Sequence, residues 1–131
     1  MPPSPHVLLV DDHDGVRAVL AHLLAQLCPT ATIAEAAHGA EALSLVAQHN
    51  LDLIITDHQM PIMSGLQLVR SLRAQGMRMP IVVLSSDTSI AEAILAAGAT
   101  VFLPKPFPNH VLKELLHTLL PESAGARALS E

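Results

Sequence analysis

Residues 53–57 read Leu53-Ile54-Ile55-Thr56-Asp57, a short apolar run that ends in a carboxylate. Residues 53–56 are too few for a helix, and their β-branched side chains favour a strand that is buried on both faces. Four other segments have the same character, and they span residues 7–10, 31–36, 81–84 and 101–103. Buried strands of this kind are typical of a parallel sheet that is covered by helices.

Amphipathic patterns separate these strands. Apolar residues recur near helical spacing, with polar residues opposite, over residues 16–27, 42–46, 66–72, 90–94 and 111–119. Because parallel strands are joined by right-handed crossover helices, the alternation predicts an α/β, flavodoxin-like doubly wound (βα)5 fold. We expect a five-stranded parallel sheet in the order 2-1-3-4-5, with helices on both faces. We expect residues 6–120 to form this domain, residues 1–5 a proline-rich N-terminal extension, and residues 121–131 a C-terminal tail or truncated linker.

The composition excludes several classes of function. The 131 residues carry twelve Asp and Glu against seven Lys and Arg, a net charge of −5, so a nucleic-acid surface is not expected. The single cysteine, Cys28, cannot form an internal disulfide, and the absence of a signal-peptide pattern indicates a cytoplasmic protein. No apolar run approaches the roughly 20 residues of a membrane span. The eight histidines are scattered without zinc-site spacing, which favours solvated or capping histidines over a metal site.

Polar residues follow four of the five predicted strands, within one or two positions of the strand end. Asp11 and Asp12 follow the first strand, Asp57 the third, Ser85 the fourth, and Lys105 the fifth by way of a proline. The carboxyl ends of parallel strands meet in one crevice, so these side chains are expected to converge. Three converging carboxylates repel one another and favour a hard divalent cation, Mg²⁺ or Mn²⁺. Together with the lysine and the hydroxyl, they form a receptacle for a phosphoryl group, with Asp57 as the nucleophile that becomes an acyl phosphate.

Each of these residues taken alone also has a purely structural interpretation. An acidic residue after a strand is commonly a helix cap, and Asp14 is predicted to cap the first helix. Four strand ends with complementary charges, however, are hard to obtain by chance. The set therefore favours a functional site over a collection of caps.

The chain resembles the receiver domain of two-component response regulators over about residues 6–120. The resemblance rests on the acidic pair Asp11-Asp12, on the string Asp57-His58-Gln59-Met60-Pro61-Ile62-Met63-Ser64-Gly65, on Ser85, on Gly98-Ala99 and on Lys105-Pro106-Phe107. The string at the end of an apolar strand is highly specific, and the lysine at the right distance adds to its specificity.

The resemblance implies a role for each site residue. Asp57 accepts a phosphoryl group from the phosphohistidine of a sensor histidine kinase or phosphotransfer protein. Asp12, Asp57 and the backbone carbonyl of Gln59 bind Mg²⁺ directly, while Asp11 acts through a water molecule. The receiver catalyses only its own phosphorylation and dephosphorylation, so it is not an enzyme in the ordinary sense.

The resemblance also assigns the phosphoryl contacts and the switch. Lys105 pairs with the phosphoryl oxygens, Ser85 donates its hydroxyl to one of them, and the backbone N–H groups of His58 and Ser86 bind others. Ser85 and Phe102 are the switch pair, because the aromatic ring turns inward as the hydroxyl moves toward the phosphoryl group. The Lys105-Pro106 peptide bond is expected to be cis, a geometry whose free-energy cost is small only before proline.

Output and phosphoryl lifetime are less determined. The family signals to a downstream protein or a fused effector domain and dimerises through the fourth helix, fifth strand and fifth helix. The segment from Ser85 to Gly98 is about two residues shorter here than in well-known members, in the region through which the family relays phosphorylation to its partners. Gln59 and Asp87 match positions that tune phosphoryl lifetime, and Asp87 either positions or repels an attacking water.

Three alternatives remain open at this point. An aspartate-nucleophile, Mg²⁺-dependent phosphatase would resemble Asp-x-Asp at the nucleophile, whereas residue 59 is Gln. A flavodoxin-like cofactor binder would need a loop without the acids at positions 11, 12 and 14, which repel a ligand phosphate. A degenerate receiver that serves only as a scaffold would not be expected to keep the acidic set.

Overall fold

Five strands and five helices alternate along residues 4–120, the part of the chain that the computed structural model describes. The strands are β1 (His6–Val10), β2 (Thr32–Ala36), β3 (Leu53–Asp57), β4 (Ile81–Ser85) and β5 (Val101–Pro104). The helices are α1 (Asp14–Leu27), α2 (Gly39–Gln48), α3 (Gly65–Ala74), α4 (Ala91–Ala96) and α5 (Asn109–Leu119), and a 3₁₀ turn (Thr88–Ile90) precedes α4.

The strands form one parallel sheet in the order β2-β1-β3-β4-β5. This order confirms the predicted doubly wound α/β fold and places β2 and β5 at the two edges. The chain reverses its direction of winding between β1 and β3, and such a switch point opens a crevice at the carboxyl ends of the strands.

Helices cover both faces of the sheet, as predicted. Leu8, Ile54 and Val83 pack on the face that carries α2, α3 and α4. Leu9, Ile55 and Val82 pack on the opposite face, against α1 and α5. All five residues of the central strand β3 are buried, which explains its uninterrupted apolar run.

Several element boundaries differ from the sequence-based expectations. β3 and β4 each extend by one residue, so Asp57 and Ser85 are the last residues of their strands. The N–H of Ala31 donates to the carbonyl of Cys28, so this residue belongs to the turn before β2. Pro5 extends the pairing of β1 with β2, because its carbonyl accepts the N–H of Thr32. Residues 1–3 of the expected extension, and the whole of 121–131, lie outside the described residues.

The predicted capping role of Asp14 is wrong. His13 occupies the N-cap position of α1, and its side chain makes no capping hydrogen bond. Asp14 is instead the first helical residue, where its carboxylate pairs with the guanidinium of Arg17 one turn later. A carboxylate in the first turn still interacts favourably with the helix dipole.

None of the helices within residues 4–120 is both long enough and apolar enough to cross a lipid bilayer.

Candidate functional site

The polar residues at the strand ends converge on one edge of the sheet. Asp57 at the end of β3 lies beside Leu84 of β4, and Ser85 lies beside Pro104 of β5. The N–H of Lys105 donates to the carbonyl of Ser85 at 2.9 Å, which continues the β4–β5 ladder past the strand end. The edge strand β2 adds no reactive side chain at this end of the sheet.

Three carboxylates form the acidic part of the crevice. Oxygen atoms of Asp11, Asp12 and Asp57 lie within 4.8 Å of one another. Asp11 and Asp57 are buried and Asp12 is half-buried. Burial raises the pKa of Asp11 above its usual value, and the charges of Asp57 and Asp12 raise it further, whereas the His13 N–H and the charge of Lys105 act in the opposite direction. The cluster therefore holds negative charge at a cost in free energy.

A lysine faces the central carboxylate. Lys105 Nζ lies 2.8 Å from Asp57 Oδ1, and about a third of the lysine side chain is exposed. Although this ion pair is short, Asp57 Oδ1 is buried and accepts no well-angled hydrogen bond from residues 4–120. A buried carboxylate oxygen in that condition lacks part of its normal solvation. One lysine does not balance three clustered carboxylates.

The donor set suits a divalent cation. Its side-chain atoms are carboxylate oxygens, which are hard ligands that Mg²⁺ and Mn²⁺ prefer, and the half-buried position of Asp12 leaves room for water ligands. The incompletely satisfied Oδ1 of Asp57 is consistent with a further positive partner. The residues present therefore fit Mg²⁺.

Backbone packing holds Asp57 in place. The hydroxyl of Thr56 donates to the Asp57 carbonyl at 2.9 Å. Gly65 begins α3 directly against this segment: a Cβ at this position would lie 2.7 Å from the Asp57 carbonyl oxygen and 2.8 Å from His58 Cα. The capping box of Ser64 and Gln67 sets the start of the helix there. The glycine of the string thus lets α3 approach the site closely.

The His58 backbone N–H, which the resemblance assigns to a phosphoryl oxygen, has a partner within the sheet. Its N–H donates to the carbonyl of Leu84 at 2.9 Å, because β3 continues its pairing with β4 for one residue beyond Asp57. Its imidazole Nδ1 accepts the N–H of Leu66 at 3.3 Å, at the start of α3. His58 therefore connects the sheet with α3, and its N–H is occupied.

Ser85 and Asp87 form a tight turn beside the crevice. The buried Ser85 Oγ accepts the N–H of Asp87 at 3.0 Å, which leaves the hydroxyl proton available for another acceptor. Asp87 Oδ1 accepts both the N–H and the hydroxyl of Ser89. These hydrogen bonds, hydroxyl first, hold the pKa of Asp87 below its usual value. The carboxylate of Asp87 thus caps the 3₁₀ turn.

The remaining expected residues lie on or after β5. Phe102 is half-buried and packs on the face of α2, α3 and α4, whereas Phe107 packs on the face of α1 and α5. The Lys105-Pro106 peptide bond is cis. The backbone carbonyl of Gln59 and the N–H of Ser86 belong to the loops that follow β3 and β4, so both lie at the same edge of the sheet.

Sequence reasoning missed two residues that support the site, Thr56 and Arg17. Thr56 is a buried strand residue, and its β-propensity alone accounts for it in the sequence, so nothing there indicates its hydrogen bond to Asp57. Arg17 Nη1 donates to the carbonyl of Asp11 at 2.7 Å. The spacing between Asp14 and Arg17 in a helix could have signalled their ion pair, but no pattern indicates the contact with Asp11.

An apolar groove opens beside the crevice, between α1 and the segment after β5. It has a volume of about 520 Å³, and its lining includes Val16, Val19, Leu20 and Phe107 together with Lys105. Val19 is 73% exposed and Val16 is 46% exposed. Exposed apolar side chains grouped around a cleft are a common mark of an interaction surface.

Comparisons with known proteins agree with this geometry. The family model of the response regulator receiver domain matches residues 7–117. The chain is 36% identical over 127 residues to the chemotaxis protein CheY homolog of Campylobacter jejuni subsp. jejuni serotype O:23/36, an alignment that covers 93% of this chain and 97% of that protein.

Solved structures show the same likeness. The chemotaxis protein CheY4 of Vibrio cholerae superposes with a TM-score of 0.80 at 33% identity, over 88% of this chain and 98% of that chain. The receiver domain of the sensor histidine kinase PA1611 from Pseudomonas aeruginosa PAO1 superposes with a TM-score of 0.79 at 28% identity, over 88% of this chain and 97% of that chain. That domain has a magnesium ion coordinated in its active site cleft.

Proposed function

Because the chain belongs to the family of response regulator receiver domains, we propose that it is a phosphorylation-dependent switch of a cytoplasmic two-component system. The observation that carries the proposal is the buried Asp57 carboxylate, which faces Lys105 and stands beside two further carboxylates. A buried ion pair would by itself account for Asp57 and Lys105, whereas two further carboxylates beside them add repulsion and favour a site that neutralises a phosphoryl group.

The transfer step forms one bond and breaks another. A carboxylate oxygen of Asp57 attacks the phosphorus of a phosphohistidine on a sensor histidine kinase or phosphotransfer protein. The P–N bond of the donor breaks as the new P–O bond forms, and the leaving imidazole keeps the electron pair and takes up a proton. The product is an acyl phosphate on Asp57.

Charge neutralisation is the main contribution of the chain to this step. Asp12, Asp57 and the Gln59 carbonyl are the proposed direct ligands of Mg²⁺, with Asp11 acting through a water molecule. When bound, Mg²⁺ supplies positive charge to the phosphoryl oxygens. Lys105 is already 2.8 Å from Asp57 Oδ1 and follows the negative charge onto the phosphoryl group.

The proposed switch uses Ser85 at the end of β4 and Phe102 on β5. Ser85 Oγ has a free proton to donate to a phosphoryl oxygen, and the N–H of Ser86 is the proposed second donor on this loop. Phe102 pairs with Val83 in the β4–β5 register, and Ser85 lies two residues after Val83, on the same face of the sheet. Drawing Ser85 inward therefore changes the space on the face that carries Phe102. Phosphorylation thus adds oxygen acceptors next to the Ser85 and Ser86 donors, and it shifts the equilibrium between two conformations of this region.

The two protein surfaces of the switch have different positions. The phosphodonor protein docks on the apolar groove formed by α1 and the segment after β5. The position of the groove supports this docking site, because Lys105 and Asp11 are among its lining residues. Output to a downstream protein or a fused effector domain, or through a homodimer, uses the face of α4, β5 and α5. α4 has only six residues, so this output face is small.

Intact mass measurement tests the proposal. The full chain, incubated with Mg²⁺ and acetyl phosphate, is expected to gain one phosphoryl group, and Asp57→Asn is expected to abolish the gain. Asp52→Asn is the matched control, because Asp52 directly precedes β3, at the end of the strand away from Asp57, where its carboxylate accepts the N–H of His6. A wild-type chain that gains no phosphoryl group from acetyl phosphate or from a cognate kinase contradicts the proposal.

A further inference from the structure

Arg17 makes three hydrogen bonds from one side chain. Its Nη1 donates to the carbonyl oxygen of Asp11 at 2.7 Å, its Nη2 to Asp14 Oδ1 at 2.9 Å, and its Nε to Glu35 Oε1 at 3.1 Å. The side chain is 16% exposed. The planar guanidinium holds its donors in a fixed fork, so three acceptors from three places in the chain share one rigid group.

The contact with Asp11 completes a clamp on the acidic turn. The N–H of Asp11 donates to the carbonyl of Ala36 at the end of β2, at 3.1 Å. Asp11 Oδ1 accepts the N–H of His13 at 2.9 Å. Because Arg17 donates to the Asp11 carbonyl, both the backbone N–H and the backbone carbonyl of Asp11 are hydrogen-bonded. These bonds fix the turn between β2 and α1.

This clamp opposes an electrostatic force. The carboxylates of Asp11, Asp12 and Asp57 lie within 4.8 Å of one another and repel, and the turn that carries two of them connects β1 to α1. Without the clamp, the turn would lower its free energy by moving away from Asp57. A cation site needs the opposite, namely carboxylates that are held together before the ion arrives.

We propose that Arg17 is a positioning residue for the divalent-cation site, acting through the carbonyl of Asp11. The inference rests on the proposed function, because it takes Asp11, Asp12 and Asp57 as the group that holds Mg²⁺. Arg17 does not touch the cation. It determines where the Asp11-Asp12 turn stands.

The sign of the effect separates this role from a simple charge effect. A guanidinium close to a cation site repels the cation, so its removal strengthens binding if charge alone matters. If Arg17 positions the turn, its removal weakens binding. Loss of a group that orients metal ligands typically costs about 10–100-fold in metal affinity. Arg17 is itself paired with Asp14 and Glu35, so its repulsion of the cation is largely offset.

The experiment measures Mn²⁺ binding to the full chain by the electron paramagnetic resonance signal of free Mn²⁺. Arg17→Gln is expected to weaken binding by about tenfold or more. Arg70→Gln is the matched control, since it removes the same charge from an exposed position on α3 and is expected to leave the affinity within twofold. The same variants are then heated with and without Mg²⁺, and the Mg²⁺-dependent rise in Tm is expected to shrink only for Arg17→Gln.

Unchanged or tighter Mn²⁺ binding by Arg17→Gln overturns the inference, while binding by the wild type upholds the metal part of the proposed function. A wild-type chain that takes up no Mn²⁺ overturns both. If Arg17→Gln shows no folded circular dichroism spectrum, Arg17→Lys decides. The lysine keeps the charge but cannot hold all three acceptors, so weaker binding supports the inference and wild-type or tighter binding overturns it.

Discussion

Lys105 Nζ lies 2.8 Å from Asp57 Oδ1, although Asp57 ends β3 and Lys105 follows β5, two strands that are not neighbours in the sheet. The lysine side chain reaches across the end of β4. Ser85 is fully buried there, and its carbonyl accepts the N–H of Lys105. The arrangement places a positive charge directly beside the proposed phosphoryl acceptor.

Lys105→Met is expected to slow phosphorylation of Asp57 by acetyl phosphate about 100-fold, because a charge that stabilises the transferring group is lost. The initial rate of phosphoryl incorporation, followed by intact mass, checks this. Lys113→Met removes an exposed lysine of α5 and is expected to leave the rate unchanged. Equal rates for the wild type and Lys105→Met would remove Lys105 from the proposed mechanism.

Gly65→Ala and Gly15→Ala are expected to act in opposite directions. A methyl group on Gly65 would meet the Asp57 carbonyl and His58 Cα at under 3 Å, so we expect a loss of about 1–3 kcal/mol of stability and slower phosphorylation. Gly15 lies in α1 with open space around it, so alanine there is expected to add about 0.5–1 kcal/mol. Urea denaturation of both variants tests the pair. A stabilised Gly65→Ala would show that the close approach of α3 is not needed.

Ile62→Asn is expected to raise the free energy of unfolding by about 1 kcal/mol. Ile62 is a β-branched residue with a φ of 71°, and its side chain is fully exposed, so it carries backbone strain without any packing in return. Asparagine tolerates the left-handed region better. Val19→Asn serves as the control, because Val19 is exposed in a regular helix, where asparagine is expected to be neutral or destabilising. Denaturation midpoints that fall for Ile62→Asn would contradict the expectation.

Arg73→Met is expected to destabilise the fold by about 2–4 kcal/mol, because three carbonyl groups lose a charged donor. Arg73 Nε donates to the Gly98 carbonyl, and Nη1 donates to the carbonyls of Met77 and Met79. The side chain thus joins the end of α3 to the turn before β5. Arg70→Met, one turn earlier on the exposed face, is expected to change stability by less than about 0.5 kcal/mol. Thermal and urea unfolding of the two variants provide the comparison.

Asp11→Asn is expected to stabilise the cation-free chain at pH 7. Burial raises the pKa of Asp11 in the folded state, so the charged carboxylate costs folding free energy once the pH exceeds its unfolded value of about 3.9. The gain from asparagine, which can still accept the His13 N–H, is therefore present at pH 7 and declines as the pH falls toward 4. Urea denaturation in EDTA at several pH values measures it. A gain that does not vary with pH would contradict this origin.

Local sequence patterns were sufficient for the fold. The apolar runs of β1, β3 and β4 are so fully buried that their composition alone indicates parallel strands, and the alternation with helices leaves few topologies. The convergence of Asp11, Asp12, Asp57, Ser85 and Lys105 also follows from the sequence, because strand ends in a parallel sheet necessarily share an edge.

The hydrogen-bond partners of several residues around the crevice were not predicted from the sequence. The clamp of Arg17 on Asp11, the occupied N–H of His58 and the engagement of Asp87 by Ser89 depend on how each loop closes, which has no period in the sequence. The first helix likewise begins with His13 at the cap and with Asp14 inside, where the Asp14 carboxylate pairs with Arg17. The sequence by itself therefore determined which residues meet at the crevice, through strand order and burial. Only the tertiary structure decided which of their polar groups are free for a ligand, because hydrogen-bond partners are assigned by three-dimensional packing.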